Sequence, residues 1–453
     1  MKTRLAISML AILALSQVQG GPVTAVLADG PVTNESSPVD SGASEDYVPG
    51  RVLVGFKSGV PSDGAASSLG AQVNRVASLD PLSAGVVPVT RGSETQMVET
   101  LRAHPSVSFA ELDYVVRVMS GPVDTESWNL SRINVQPAWD YVASSPGPII
   151  AILDTGVNAA HVDLRGKVLP GYDFVGDGSN TNDDNGHGTH VAGIAAASAD
   201  RVSAVAGVAP GSRILPLKVL NSAGNGSSSG LARAIVYAAD HGAKIINLSL
   251  GITKSSAILQ EAVRYAGSKG VLLVAAAGNS YQSNNQPIYP AAYPEAIAVA
   301  ATSSTNMHAS YSNSGSYVDI AAPGGDPVGE KDADPMHWIT STSWNGGSSH
   351  ARMAGTSQAS AQVAGVAALM LSVNPALGGD ELKAMIESSA KDLGPSGKDD
   401  LYGYGLVDAG ASVQAARSAL KSPGTLRQPS PESISLLHVI YLPLASVRSE
   451  GGW

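Results

Sequence analysis

Three short segments carry residues that could catalyse acyl transfer. Asp154 directly follows the apolar run 148–153, His187 lies between two glycines in NGHGTHVAG, and Ser357 lies in GTSQASAQVAG at a predicted helix start. A serine hydroxyl becomes a good nucleophile when a base takes its proton, and histidine is a base near neutral pH. A carboxylate can hold that histidine in the required tautomer. The set therefore predicts nucleophilic catalysis, although each residue alone has an ordinary alternative, such as a helix N-cap for Ser357.

The order and surroundings of these residues narrow the type of site. The chain order Asp, His, Ser is that of the subtilisin arrangement, not that of chymotrypsin or the α/β-hydrolases. Ala359 stands where a nucleophile elbow would have glycine. His187 and His190 could instead form a metal pair, but no Cys or third His lies near them in sequence and there is no HExxH pattern. No GxGxxG or P-loop pattern points to a nucleotide.

The elements that must position these residues form a predicted parallel sheet. Continuous apolar strands that alternate with Ala-rich helices are typical of a parallel sheet covered on both faces. In such sheets, functional residues gather at the carboxyl edge of the strands. The predicted strands are 148–153, 214–220, 244–249, 270–276 and 296–300, and the helices between them include 229–241 and 257–269.

Residues 47–118 predict a separate small unit. Strand patterns alternate there with helical ones in about 70 residues, which indicates a two-layer sandwich. Either Ser93 or Thr95 could be the N-cap of the second helix. The predicted strands are 51–57, 84–89 and 107–118, and the predicted helices are about 65–76 and 94–104.

The composition excludes several classes of protein. Only 15% of the 453 residues are charged and the net charge is −10, so neither a wholly disordered chain nor a nucleic-acid-binding protein is expected. The chain has 0 cysteines, which rules out disulfides, thiolate metal sites and a cysteine nucleophile.

The two ends of the chain are predicted to lie outside both folded units. Two basic residues precede an apolar run at 5–15, so residues 1–20 are predicted to be a secretory signal peptide, with cleavage near Gly20 or Ala25. That run is too short to span a membrane in the mature protein. Residues 21–46 are a predicted flexible linker. Residues 419–453 are a predicted tail, whose apolar stretch could be a docking strand, a sorting signal or a poorly ordered segment.

These motifs together resemble those of secreted subtilisin-like serine proteases of the subtilase family. DTGVN, NGHGTHVAG and GTSQASAQVAG resemble the family's Asp, His and Ser blocks, and AAAGN at 275–279 resembles its oxyanion block. The resemblance covers 119–418 and implies an α/β fold, subtilisin-like, with a mostly parallel sheet and helices on both faces. Residues 47–118 resemble the family's propeptide, which implies a small α+β ferredoxin-like domain that acts as an intramolecular chaperone and inhibitor.

The resemblance also implies a role for individual residues. Ser357 would attack the peptide carbonyl, His187 would act as base and then acid, and Asp154 would orient His187. The Asn279 side chain would donate to the oxyanion beside the Ser357 backbone N–H. Two strand segments would pair with the substrate backbone. The implied substrate-binding residues are Ser249, Leu250, Gly251, Gly224, Gly226, Ala276 and Gly278.

The sequence departs from the family pattern in two places. Gln358 stands where the family usually has Met, and Ala361-Gln362 stand where it has Pro-His. These positions pack beneath the nucleophile, so Gln358 is expected to need a hydrogen-bond partner. The acidic stretch 325–338 is an extra, predicted surface loop near the cleft, either simply solvated or involved in specificity or ion binding.

The sequence leaves undecided whether the protein has a structural calcium site. Asp163 matches a position that often supplies a Ca²⁺ ligand in the family, whereas Arg201 stands near the usual place of an amide ligand. No cofactor is expected for catalysis. Other oxygen ligands suited to Ca²⁺, without the spacing of an EF-hand, are Asp173, Asp177, Asp183 and Asp184.

The leading expectation is a secreted, monomeric endopeptidase of broad or apolar specificity that cleaves itself between about Arg117 and Trp128. Its expected partners are protein or peptide substrates and its own propeptide, with no nucleic acid and no membrane span in the mature form. Gln358 and the missing Pro-His motivate an alternative, a non-catalytic protein that binds peptides on the same fold without turnover.

Overall fold

A computed structural model of the chain describes residues 47–57, 77–79, 81–118, 121–122, 127–142, 147–199, 205–327 and 337–420. The predicted signal peptide, the predicted linker and the predicted 65–76 helix lie outside these residues, as does the predicted tail from residue 421 onward; residues 419 and 420 belong to the last helix. The strands are β1 Tyr47–Phe56, β2 Ala77–Ser78, β3 Ala84–Pro88, β4 Val107–Val118, β5 Gly121–Pro122, β6 Ile149–Asp154, β7 Tyr172–Asp173, β8 Arg213–Lys218, β9 Asn225–Ser227, β10 Ile245–Leu248, β11 Leu250–Gly251, β12 Leu272–Ala276, β13 Ala296–Thr302, β14 Ile320–Pro323, β15 Ile339–Thr342 and β16 His350–Ala354. The helices are α1 Glu94–Arg102, α2 Trp128–Arg132, α3 Val135–Val142, α4 His187–Ala196, α5 Ser228–Asp240, α6 Ala257–Ser268, α7 Thr356–Val373, α8 Gly379–Ser388 and α9 Ala409–Leu420.

The central sheet has seven parallel strands in the order β14-β13-β12-β10-β6-β8-β7. Its middle strands β10, β12 and β13 are buried along their whole length. Two large clusters of buried Ala, Val, Ile and Leu include residues from alternate positions of these strands. The sheet is therefore covered on both faces, and the predicted α/β fold is confirmed.

Helix α7 passes through one of these clusters almost completely buried, because its residues are small. All residues from Thr356 to Leu371 are buried. A Cβ on Gly365 would come within 2.5 Å of Val208 Cβ, so only glycine permits this close approach. The small residues after Ser357 thus allow the helix that carries the serine to lie against the core.

Residues 47–118, the predicted prodomain, contain an antiparallel sheet in the order β2-β3-β1-β4. Helix α1 covers one face, where Val98 and Leu101 pack in a cluster with Val52 and Val54. On the other face, Leu53 belongs to an apolar cluster that also contains residues of α5 and α6. The sheet thus uses the neighbouring domain for part of its core.

Helix α1 begins as predicted but is capped differently. Ser93 is the N-cap residue, yet its Oγ donates to the Thr90 carbonyl and not to the helix. The buried Glu94 carboxylate instead accepts the backbone N–H groups of Gly50 and Gly92, each at 2.7 Å. Glu94 thereby connects the start of the helix to Gly50 of β1.

A small antiparallel sheet, β15-β16-β5, completes the described part of the fold. Strand β16 ends at Ala354, three residues before Ser357, so this sheet leads the chain directly into the segment that contains Ser357. Within the described ranges, no helix is long and apolar enough to cross a membrane.

Candidate active site

Three neighbouring strands of the central sheet deliver the predicted site residues to one edge. Asp154 ends β6, Ser249 follows β10, and Asn279 follows β12. These strands are adjacent and parallel, so their carboxyl ends meet. The sheet therefore gathers residues as far apart in the chain as Asp154 and Asn279.

Asp154 and His187 form a buried pair. Asp154 Oδ1 lies 2.7 Å from His187 Nδ1, and the two residues are 0% and 2% exposed. The Asp154 carboxylate also accepts the Thr155 backbone N–H at 2.8 Å. This contact places the proton on Nδ1 and leaves Nε2 as the basic nitrogen. Within the described part of the chain, Nε2 of His187 is buried without a hydrogen-bond partner.

The carboxylate of Asp183 holds the turn that presents His187. Its Oδ1 accepts the backbone N–H groups of Asn185 and Gly186, and its Oδ2 accepts the Thr189 N–H at 2.9 Å and hydroxyl at 2.6 Å. A buried acid is favourable at a helix N-terminus. Sequence reasoning offered Asp183 only as a calcium ligand; its position three residues before Gly186 was the signal for a capping role.

Ser357 and Ser249 bind each other reciprocally. Ser357 Oγ donates to the Ser249 carbonyl at 3.1 Å, and Ser249 Oγ donates to the Ser357 carbonyl at 3.0 Å. Ser357 is the second residue of α7, so its hydroxyl lies at the N-terminus of that helix. The serine is thereby fixed against the end of β10, next to the strand that carries Asp154.

The side-chain amide of Asn279 has a fixed orientation. Its Oδ1 accepts the Thr356 backbone N–H at 3.0 Å and the Thr356 hydroxyl at 2.7 Å. A backbone N–H can only donate, so the oxygen must face Thr356 and the amide NH₂ must face away. Thr356 is adjacent to Ser357, and this arrangement couples the asparagine directly to the nucleophile segment.

The predicted substrate-pairing segments both bind the end of β4, from the prodomain. Leu250 and Gly251 of β11 pair with it on one side, and β9, which contains Gly226, pairs on the other. Gly224 lies in the turn before β9 with φ +73°, a conformation that glycine adopts without strain. The chain's own prodomain therefore lies as a third antiparallel strand between the two segments.

Glu111 anchors this strand to the start of α6. Its carboxylate accepts the Ser256 hydroxyl at 2.6 Å and the backbone N–H groups of Ala257 at 2.7 Å and Ile258 at 3.1 Å. Burial raises the pKa of Glu111, while these hydrogen bonds favour its ionised form.

Asp113 makes the equivalent contact with the start of α5. It is fully buried and accepts the Ser228 hydroxyl at 2.9 Å and the Ser229 N–H and hydroxyl at 3.0 and 2.7 Å. Arg51 Nε of β1 lies 2.7 Å from the same carboxylate. Two prodomain acids thus lie at the positive ends of two peptidase-domain helices.

Ile288 lies against two of the predicted substrate-binding glycines, and sequence reasoning missed it. A Cβ on Gly251 would come within 2.2 Å of Ile288 Cγ2, and one on Gly278 within 2.6 Å of Ile288 Cγ1. Ile288 is itself buried. Ala276, also predicted here, is the last residue of β12 and pairs with Val299 within the central sheet. No local pattern marks Ile288, since it lies in the long connection between β12 and β13.

The described neighbours of Asp163 do not suit Ca²⁺. Its Oδ2 lies 2.7 Å from His350 Nε2 and 3.9 Å from His161 Nδ1. Ca²⁺ takes oxygen ligands, and imidazole nitrogen is a poor substitute. The other proposed acids are also engaged: Asp184 binds Lys218 Nζ at 2.6 Å, and Asp173 accepts backbone N–H groups of its own turn. Arg201 lies outside the described residues.

Gln358, the residue after Ser357, is buried and only part of its amide is hydrogen-bonded. Its Nε2 is 3.5 Å from His190 Nδ1, and its buried Oε1 has no partner among the described residues. Complete burial lowers the pKa of His190 to about 3, so this imidazole is neutral. His190 Nε2 contacts the carbonyls of Ile339 and Ala351, which leaves no nitrogen for a metal pair with His187.

Gln362 and Asp326 are better accommodated than the sequence suggested. Gln362 Nε2 donates to the Pro323 carbonyl, and its Oε1 accepts from Asn129 at 3.3 Å.

Asp326 was predicted to lie in a surface loop, but it is 5% exposed and accepts the Ser310 hydroxyl at 2.6 Å and N–H at 2.9 Å. The Asp326 carboxylate can be buried because its two hydrogen bonds from Ser310 replace hydrogen bonds to water. Residues 328–336 of this stretch lie outside the described residues.

Comparisons with known proteins agree with this architecture. The model of the subtilase family matches residues 145–405, and that of the fervidolysin N-terminal prodomain matches residues 33–113. A thermophilic serine proteinase of Bacillus sp. (strain AK1) is 39% identical over 368 residues, which cover 80% of this chain and 87% of that protein. Thermitase of Thermoactinomyces vulgaris is 44% identical over 283 residues, which cover 62% of this chain and 94% of thermitase.

The same similarity appears among solved structures. The crystal structure of fervidolysin from Fervidobacterium pennivorans, a keratinolytic enzyme related to subtilisin, aligns with a TM-score of 0.68 at 26% identity. The alignment covers 82% of this chain and 62% of the fervidolysin chain, so this chain spans less than two thirds of fervidolysin. The family match over more than half of the chain, together with these relatives, shows that the protein belongs to the subtilase family of serine proteases and carries an N-terminal prodomain.

Proposed function

We propose that the protein hydrolyses peptide bonds by a Ser357–His187–Asp154 triad. Ser357 Oγ attacks the substrate carbonyl while His187 Nε2 takes its proton and later gives it to the leaving amine. Asp154 keeps the proton on His187 Nδ1 and stabilises the imidazolium. The observation that carries this proposal is the 2.7 Å contact between buried Asp154 and His187 at the sheet edge where Ser357 is held.

In the same proposal, Asn279 stabilises the oxyanion. Charge develops on the substrate carbonyl oxygen as Ser357 attacks, and donors aimed at that oxygen lower the barrier. The fixed orientation of the Asn279 amide, with Oδ1 on Thr356, supports this role. The Ser357 backbone N–H at the start of α7 is the second donor.

We also propose that the protein is secreted as an inhibited precursor. The signal-peptide pattern in 1–20 supports secretion. The pairing of β4 with both β9 and β11 supports inhibition, because a substrate that adds a strand there must first displace the prodomain. Self-cleavage would break the covalent link between the two domains. Dissociation of the prodomain would then open the cleft.

The proposed specificity is for small or medium apolar side chains beside the cleaved bond. The support for this preference is that the Ile288 side chain lies against both Gly251 and Gly278, where it would form the floor of a short pocket. We therefore expect a broad preference that falls off for large aromatic side chains.

The test compares the secreted wild-type protein with Ser357→Ala, and Ser372→Ala in the same helix serves as the control. Intact mass reports maturation, casein hydrolysis reports activity, and labelling by a serine-reactive phosphonate reports the nucleophile. The wild type and Ser372→Ala should mature, hydrolyse casein and be labelled, whereas Ser357→Ala should do none of these. In subtilisin, loss of the nucleophile lowers kcat by about 10⁶-fold.

A full-length wild-type protein that neither hydrolyses casein nor reacts with the phosphonate would overturn the proposal. That result would favour the non-catalytic peptide-binding alternative, for which the unpartnered Oε1 of Gln358 is the structural argument. Reversion of Gln358 to Met would then show whether that residue is responsible.

A further inference from the structure

Three side chains outside the proposed triad form a compact group of potential metal ligands. His161 and Asp163 lie in the loop after β6, and His350 is the first residue of β16. One donor atom from each residue lies within 4.8 Å of the donor atoms of the other two. Among the residues that the structure describes, no other three His or acidic side chains come together in this way.

The distances inside the group are close to those of a tetrahedral metal site. Asp163 Oδ2 lies 2.7 Å from His350 Nε2 and 3.9 Å from His161 Nδ1. In a tetrahedral zinc site with bonds of about 2.0–2.1 Å, neighbouring donor atoms are about 3.3 Å apart. The two observed distances lie on either side of this value, so small side-chain rotations would bring the donors to bonding distance of one ion.

The surroundings of His161 determine which of its nitrogens is available. Its Nε2 lies 2.7 Å from the Ser349 carbonyl oxygen, which can only accept, so Nε2 carries the proton. In the neutral ring, Nδ1 then has the lone pair, and its contact is the Asp163 backbone N–H at 3.2 Å, a long hydrogen bond that a metal ion would replace. Histidines that ligate metals typically donate their second N–H to a carbonyl or carboxylate in the same way.

The group is buried on one side and open on the other. The side chains of His161 and Asp163 are 0% and 2% exposed, whereas that of His350 is 17% exposed. A buried carboxylate is costly unless a cation or hydrogen-bond donors compensate its charge. The exposed edge of His350 gives an ion a path of entry and leaves room for a water ligand.

We propose that His161, Asp163 and His350 bind a divalent transition metal such as Zn²⁺, through two imidazole nitrogens, one carboxylate oxygen and one water. Mixed nitrogen and oxygen ligands suit Zn²⁺, whereas Ca²⁺ takes oxygen ligands. The proposed site therefore differs, both in its metal and in its donor atoms, from the calcium site that the sequence left undecided.

The metal would join two distant segments of the peptidase domain. The Val162 N–H already donates to the Gly347 carbonyl at 2.7 Å, and the Asn158 side chain donates to two carbonyls of the same β15–β16 connection. Strand β16 leads from there to the segment that contains Ser357. An ion that binds the folded chain alone stabilises it by mass action, so the metal should raise the stability of this domain.

The experiment uses untagged, metal-free, full-chain protein that carries Ser357→Ala, which prevents self-digestion by the proposed triad. Calorimetric titration with Zn²⁺ alone should show one site per chain. At a Zn²⁺ concentration about 100 times the dissociation constant, the thermal unfolding midpoint should rise by about 5 °C. Co²⁺ in the same site should give the visible absorption bands of a tetrahedral ion.

His350→Gln is the decisive variant, because glutamine can still donate to Asp163 but has no imidazole nitrogen for a metal. It should fold, and its Zn²⁺ affinity should fall by at least the roughly 10- to 100-fold that loss of an outer-shell partner costs. The midpoint shift should disappear and the Co²⁺ bands should change. His241→Gln, at the exposed residue that follows α5, is the matched control and should bind Zn²⁺ as the parent does.

Several results would overturn the proposal. Absence of Zn²⁺ binding would remove the site, and equal Zn²⁺ affinity in His350→Gln and the parent would place the bound ion elsewhere. A midpoint that rises with Ca²⁺ but not with Zn²⁺, and no longer does so in Asp163→Asn, would assign Asp163 to calcium. Casein hydrolysis by the wild type tests the protease proposal separately, because the metal measurements use protein without the nucleophile.

Discussion

The two domains bury their sheets in different ways. The peptidase domain covers both faces of its parallel sheet with its own helices, and its middle strands are buried along their length. The prodomain covers one face of its antiparallel sheet with α1, and eight of its described residues form a buried cluster there. On the other face, buried Leu53 belongs to a cluster shared with α5 and α6.

Because of this difference, the proposed catalytic residues and the contacts proposed to inhibit them belong to different domains. The residues proposed to carry out catalysis lie in the domain that has a complete core, where they can be held rigidly. The prodomain relies on the larger domain for part of its core and for partners of Glu111 and Asp113. We expect variants of the peptidase site to change catalysis and leave prodomain affinity intact, and variants of the prodomain acids to do the reverse.

Asn279→Ala should have the largest effect among variants that keep the triad. Loss of one oxyanion donor should lower kcat by about 10²- to 10³-fold, as for the same kind of donor in subtilisin, with little change in KM. The inhibition constant for added prodomain should stay within about twofold, since Asn279 has no role in the strand pairing. Steady-state kinetics on a peptide substrate check both values. A parallel rise in KM would place Asn279 in binding instead.

Asp113→Ala should weaken prodomain inhibition by about 100-fold. The substitution leaves the Ser228 and Ser229 donors and Arg51 without their buried acceptor, and hydrogen bonds to a charged group contribute about 1.5–3 kcal/mol. The measurement is the inhibition constant of the separate prodomain against the mature enzyme, whose kcat is unaffected. Exposed Glu99→Ala is the control and should change nothing. Equal loss in both variants would show that prodomain folding, not this contact, was affected.

Ile288→Gly should change specificity by about tenfold. Removal of the side chain between Gly251 and Gly278 lengthens the pocket, so kcat/KM should rise for Phe and fall for Ala beside the cleaved bond. A matched pair of peptides that differ only at that position gives the ratio. A ratio unchanged from the wild type would mean that Ile288 is not the pocket floor.

The smallest expected effect is a pH dependence of prodomain inhibition that arises from Glu111. Burial raises the pKa of Glu111, so docking of the prodomain favours its protonated form. The contribution of this group to docking is therefore greatest below the pKa of a free glutamate and declines as the pH rises through the raised value in the docked state. Prodomain inhibition should weaken by less than about tenfold over that range. Glu111→Gln should flatten this part of the pH profile, and an unchanged profile would assign it to another group.

Much of the fold followed from sequence because its determinants are local. The apolar runs at β6, β10 and β12 and the helices between them have the length and periodicity that such elements require, and the structure places them within a few residues of the prediction. Strands β9 and β11, which are proposed to pair with substrate, form for a different reason. They are three and two residues long, and they become strands because β4 lies between them.

The sequence by itself determined the kind of chemistry, since Asp154, His187 and Ser357 stand in short motifs with a characteristic order. Only the tertiary structure decided which atoms meet. The contact of Ile288 with Gly251, the contact of Asp163 with His350 and the pairing of β4 with β9 and β11 all join distant parts of the chain. Such contacts depend on packing and strand register, and these are properties of the whole fold that no short segment of sequence contains.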